Sequence, residues 1–184
     1  MPNSDCNGCS GTFTDGRDGQ VYRTAKMPDG KIWMAQNLNY KPESGNSWCY
    51  RDNESMGGKY GRLYDWDTAI SVAPAGWHLP TREEWEGLLS AVDGGDAAVG
   101  KKLKSKSVWQ KDCNGTDDYG FSALPGGLYY KGKFAFARNY GFWWTATEYD
   151  GDVAYHRSIF YSSDDVYEHK YFKTHGRSVR YIAN

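Results

Sequence analysis

Long apolar runs are missing from this sequence. Its 184 residues contain no stretch near the ~20 needed to cross a bilayer, and the mean hydropathy is -0.79. A surplus of positive charge is missing too: 22 Lys and Arg stand against 23 Asp and Glu, a net charge of -1. Proteins that bind nucleic acid draw most of their affinity from neutralising phosphates, so that class is disfavoured. The opening MPNSDCNGCSG has no apolar signal core, and export would need a leader outside this chain. Cysteine is scarce. Cys6 and Cys9 form one C-x-x-C in a Gly- and Ser-rich terminus, without the second pair or spaced histidines that a zinc site needs. Cys49 and Cys113 remain open to bridging, which sequence alone does not establish.

Aromatic residues and glycine are abundant instead: 8 Trp, 15 Tyr, 7 Phe and 22 Gly. Large rings can supply a core where aliphatic residues are few, and the glycines imply many turns. The length suits one domain. We read residues 1–14 as a flexible segment and 15–184 as a single domain. Val21 to Lys26 and Lys31 to Ala35 form a predicted hairpin, turning through Pro28 and Gly30 in MPDG. KPESGNSWCYRDNESMGGK reads as loop. In YGRLYDWDTAIS, Leu63, Trp66 and Ile70 recur at helical spacing and predict a short amphipathic helix.

The clearest local signal is GWHLPTREEW. Thr81 stands as N-cap and Glu84 as the third helical residue, the capping-box pattern. Trp85, Leu88, Leu89 and Val92 follow on one apolar stripe. GGD ends this helix, and Asp96 caps another short one through AAVGKKLK. From Trp109 onward no helical period persists. Short aromatic and β-branched runs alternate with turn residues, predicting strands near 121–124, 133–137, 142–147, 153–161, 165–172 and 177–182. Helices ahead of a strand-rich half indicate an α+β domain with an antiparallel sheet. No motif recurs at a fixed period, which argues against a solenoid or propeller.

Seven motifs occur in one order: DGQVYRTAKMPDGKIWMAQNLNY, YGRLYDWDTA, GWHLPTREEWEGLL, GKKLKS, NGTDDYGFSALPGG, FWWTATEYD and GRSVRYI. From about Asp15 to Ile182 the chain closely resembles the Fibrobacter succinogenes major paralogous domain, found in secreted and surface proteins of Bacteroidetes, Fibrobacteres and related bacteria. LPTREEWE also resembles an element of formylglycine-generating enzymes. Together these resemblances imply a C-type-lectin-like fold: two or three short helices around an irregular, twisted antiparallel sheet. Family members commonly carry CPxGWHLP and a terminal SVRC, an implied disulfide pair. Here Ala73 and Tyr181 hold those positions, so both cysteines are absent together. That weakens any inference of an oxidising compartment.

Catalysis finds little support. A formylglycine-generating enzyme needs two reactive cysteines, and the strand-rich half holds Cys113 alone. No nucleophile elbow is present. His78 reads as a packed or surface histidine, and His156, His169 and His175 lack the spacing of a compact metal site. The doublets Asp117/Asp118, Asp150/Asp152 and Asp164/Asp165 are poor acid–base pairs, since strand neighbours point to opposite faces. They read as turn residues, with Asp117 and Asp118 also standing as candidate Ca²⁺ ligands. No other cofactor is expected.

The remaining texture suggests binding. Tyr among small polar residues is the composition of adaptable contact surfaces. Alternation in VAYHRSIFY places Val153, Tyr155, Arg157, Ile159 and Tyr161 on one face, and Ala154, His156, Ser158 and Phe160 on the other. Candidate contacts are Tyr149, Asp150, Asp152, Tyr155, Arg157, Tyr161, Asp164, Asp165, Tyr167, His169 and Tyr171. The C-terminal end resembles the variable proteins of diversity-generating retroelements, which implies a rewritten patch on a kept scaffold. The expectation is a non-catalytic, extracellular or cell-surface domain that binds a protein or carbohydrate on another cell or matrix. Alternatives are a structural adhesion module without a ligand, or a modifying enzyme of the formylglycine-generating type.

Overall fold

The N-terminal hairpin forms where alternation and turn chemistry place it. In the computed structural model, which describes residues 10–95 and 98–184, β2 (Val21–Lys26) pairs antiparallel with β3 (Ile32–Met34). Gly30, at φ 81°, closes the turn by donating to Met27 O at 2.9 Å. The segment expected to be loose through residue 14 is corrected in part: Ser10–Thr14 is strand β1, in register with β2 from Ser10↔Ala25 to Thr14↔Val21. Cys6, Cys9 and the expected cap Asp96 lie outside the described residues.

The stretch expected as loop after residue 40 carries β4 (Ser47–Trp48), a 3-10 turn (Tyr50–Asp52) and α1 (Glu54–Tyr60). Asn53 caps α1 by accepting from the Ser55 amide. The helix expected to include Leu63 begins later. Leu63–Tyr64 is strand β5, paired to β4, and α2 (Trp66–Ser71) starts behind its cap Asp65. Backbone pairing has overridden the helical spacing there.

After β6 (Trp77–His78) comes α3 (Arg82–Asp93), whose entry is the predicted capping box. Thr81 Oγ1 accepts from the Glu84 amide at 3.1 Å, while the Glu84 carboxylate accepts from the Thr81 amide at 2.9 Å. Trp85, Leu88 and Val92 are buried, and Gly94 ends the helix in the left-handed conformation. A short α4 (Val99–Leu103) follows. The C-terminal half contains β7 (Leu128–Tyr130), β8 (Lys133–Ala135), β9 (Tyr140–Glu148), β10 (Val153–Phe160), β11 (Val166–Phe172) and β12 (Ile182–Ala183). No strand forms over 121–124, where Ala123 makes one bridge to Lys104. Only the end of 177–182 is strand.

The protein is a mixed α+β domain with four helices and several antiparallel sheets among the described residues. One sheet has the order β1-β2-β3-β12-β6, and another the order β11-β10-β9. Alternation along β9 sends Trp143 and Trp144 to opposite sides. Trp143 joins Trp33, Trp85 and Phe121 in one core, and Trp144 joins Tyr64, Val179 and Tyr181 in a second. Ala73 packs on this second cluster, and the Tyr181 hydroxyl donates to Ala69 O at 2.7 Å. Packing therefore occupies both positions at which the resemblance implies cysteines. Cys49 and Cys113 are both free thiols. Burial pushes the Cys49 thiol up to about 11, so it is a poor nucleophile.

Candidate functional site

Pairing within β9–β10–β11 decides which C-terminal side chains share a face. The register His156↔His169 and Ser158↔Tyr167, with Ser158↔Phe142 on the other edge, gathers these residues on one side. The register Tyr155↔Lys170 and Arg157↔Glu168 gathers the opposite side, against α3. The first side faces the β7–β8 hairpin. Between them lies a cleft of about 840 Å³, lined by Tyr130, Phe136, Phe142, His156, Phe160, His169, Tyr171, His175 and Arg177, among others.

Two glycines make this geometry possible. Gly127, at φ 69°, starts the hairpin wall; a Cβ there would lie 2.3 Å from Ala135 O. Its amide donates to Tyr140 O at 2.9 Å, tying the hairpin to β9. Gly176 passes so close to the hairpin that a Cβ would sit 2.8 Å from Tyr129 Cβ and 2.9 Å from the Trp48 ring. The next residues bridge three elements: Gly176 to Tyr129, Arg177 to Tyr64, and Ser178 to Trp143. This threading seats the Arg177 side chain at the base of the cleft.

Arg177 is 2% exposed. Its guanidinium lies 4.4 Å from the Trp144 ring centroid, 5.4 Å from Tyr171 and 5.8 Å from Phe142. Neither Nε nor Nη1 has a hydrogen-bond partner. Burial holds this group down to about 9, still charged at neutral pH. Burial and the nearby Arg177 charge keep His175 neutral, lowered to about 4. Burial, then Arg177, His169 and His175, also depress His156, whose Nδ1 is unpartnered. Glu168, on the strand that borders the cleft, has its carboxylate held on the opposite side by Arg82 and Arg157 at 2.7 Å each.

The structure divides the expected contacts. His169 and Tyr171 line the cleft, and Tyr167 stacks on Phe160 with centroids 4.9 Å apart. Tyr149 and Tyr155 lie elsewhere, edge to face at 5.7 Å, beneath the Lys170 and Arg82 cations. Arg157 is buried rather than solvent-facing, bonded to Glu86 at 2.9 Å and to Glu168. Tyr161 packs partly against the core. Asp150 caps its own turn, accepting from the amides of Asp152 and Val153 at 2.9 Å. Asp152, Asp164 and Asp165 are exposed, and Asp164 O accepts from the Gly100 amide at 2.6 Å. Asp117 turns its carboxylate onto Ser122, accepting from the amide at 2.6 Å and the hydroxyl at 2.5 Å, while Asp118 is exposed. Among the described residues no group of three or more His, Cys, Asp or Glu is arranged to hold a metal ion.

The residues missed in sequence are Phe142, His156, Phe160, His175 and Arg177. The signal for His156 and Phe160 was the unselected half of the alternation in VAYHRSIFY, and for Arg177 the GRSVRYI motif.

The sequence model of the Fibrobacter succinogenes major domain matches residues 29–183. The chain belongs to this family. No curated protein and no solved structure matches it. The cleft therefore sits within the matched region of a Fibrobacter succinogenes major domain, built by its C-terminal third. No helix among the described residues is long and apolar enough to cross a membrane.

Proposed function

We propose that this chain is a non-catalytic ligand-binding domain of C-type-lectin-like architecture, displayed outside a bacterial cell. Its site is the cleft between the β7–β8 hairpin and the β9–β10–β11 sheet. The observation that carries this reading is a cleft of ligand size, about 840 Å³, with aromatic walls and unpaired donors at its base. The helix entry LPTREEWE and the irregular antiparallel sheets support the architecture, and the family's occurrence in secreted and surface proteins supports the location. Covalent catalysis would pair a nucleophile with a base. On this face Ser158 Oγ and His156 Nδ1 both lack partners, so they are not so paired. Protein and carbohydrate ligands both suit aromatic walls.

The test is an array of immobilised glycans and bacterial surface proteins, probed with the wild type and single variants. Phe136 and Tyr171 are 49% and 45% exposed at the cleft. Phe136→Ser and Tyr171→Ser should weaken binding by about 1–3 kcal/mol each while the melting temperature stays unchanged. Tyr149→Ser, on the opposite side, should bind as wild type. Equal binding by all three variants removes the cleft from the account and leaves a structural adhesion module.

We further propose that any retroelement diversification falls on exposed positions such as Asp150, Asp164, Asp165 and Tyr171. The buried residues His156, Arg157 and Ser158 would be spared. Sequencing the 3′ coding end from many isolates, with its flanking DNA, reads this directly. Variation spread equally over the buried codons would contradict it.

A further inference from the structure

We propose that the cleft takes an acidic saccharide, and that Arg177 binds its ring-borne oxyanion, a carboxylate or sulfate. This rests on the cleft being the binding site and names the ligand's chemistry. Folding satisfies buried guanidinium groups when it can. Three residues along, Arg180 is equally buried, and its Nε and Nη2 donate to Asn37 Oδ1 at 2.9 Å and Ser122 O at 2.7 Å. A third bond runs from Nη1 to Phe121 O. Arg177 has no such oxygens. It is walled by the faces of Trp144, Tyr171 and Phe142, which contact the cation without meeting its N–H groups.

A buried cation with empty donors is costly unless something arrives to fill them. An oxyanion fits the planar fork, which can bind it through two parallel bonds. Glu168, on the strand that borders the cleft, turns its carboxylate to two other arginines on the opposite side and does not compete. The surrounding chemistry suits a sugar ring over a bare ion. Tyr130, Phe136 and Tyr171 are exposed rings at the cleft on which a pyranose face can stack. His175 is held neutral, so it offers both a donor and an acceptor to hydroxyls. Lys133 adds positive charge at the same cleft.

The test is calorimetric titration with three probes: oligogalacturonate, its methyl ester with the same rings uncharged, and sulfated galactan fragments. Arg177→Met and Phe136→Ser are run beside the wild type, with thermal melts to show that each variant is folded. Charge-assisted hydrogen bonds of this kind correspond to roughly 10- to 100-fold in affinity. The wild type should therefore bind oligogalacturonate or the sulfated fragments at least about tenfold tighter than the methyl ester. Arg177→Met should erase that preference, and Phe136→Ser should weaken charged and uncharged probes alike. The two charged arms tell carboxylate from sulfate. Equal binding of the methyl ester, a preference that survives in Arg177→Met, or no binding of any probe overturns the proposal. If none binds while an array ligand is still lost in Phe136→Ser, the cleft stands and the acidic saccharide falls.

Discussion

Arg180→Met is expected to lower the unfolding free energy by about 2–5 kcal/mol. Arg180 is 1% exposed, and it supplies the donors for Phe121 O and Ser122 O. Removing it strands both buried carbonyls, and each unsatisfied group costs about 1–3 kcal/mol. Asn37 Oδ1 is spared, because Trp143 Nε1 also donates to it at 2.9 Å. In a domain of this size the melting temperature should fall by roughly 5–15 °C. Urea melts with an unchanged slope would show a stability effect alone. A loss below about 0.5 kcal/mol, the range of surface substitutions, would mean these bonds do not hold the C-terminal segment in place.

Trp85→Ala should cost about 3–5 kcal/mol. The ring is fully buried and meets Trp33 edge-on at 5.0 Å, Phe121 at 5.9 Å and Trp143 at 6.3 Å. Its Nε1 has no hydrogen-bond partner, so the loss is one of volume and ring contacts. Trp85→Phe should therefore recover much of the stability in the same urea melts. A Phe variant as unstable as the Ala variant would show that something other than ring packing is at stake. The position also locks α3 under the sheet, so its loss should loosen the backing on which the cleft is built.

Local signals were the legible ones. The hairpin Val21–Lys26/Ile32–Met34 and the Thr81–Glu84 capping box are short-range devices, and both formed as read. Helix α1 was hidden because Gly57 and Gly58 have the composition of a loop. Gly57 is required by tertiary contacts that its own helix does not reveal, since a Cβ there would lie 2.5 Å from Cys49 Sγ and 2.8 Å from Asn39 Oδ1. Leu63 had helical spacing with Trp66 and Ile70 but was claimed by pairing with Trp48.

The site was half legible for the same reason. Alternation sorted β10 into two faces correctly, yet which face borders the cleft depends on where α3 lies. Tyr155 and Arg157 look like contact residues, but α3 covers their side through Arg82 and Glu86. His156 and Phe160, which look like core, border the cleft. Arg177 and Arg180 are alike in sequence. Only the oxygens brought up by Asn37, Phe121 and Ser122 make one of them structural.

That contrast makes the stability of Arg177→Met, without ligand, the most direct measurement of the claim that this cleft is kept for binding and not for folding. Its buried N–H groups satisfy nothing in the free protein, and methionine would fill similar space without a charge to desolvate. Urea melts should place Arg177→Met at or above the wild type, while Arg180→Met falls well below. An Arg177→Met variant destabilised as much as Arg180→Met would make both arginines parts of the scaffold and contradict the account.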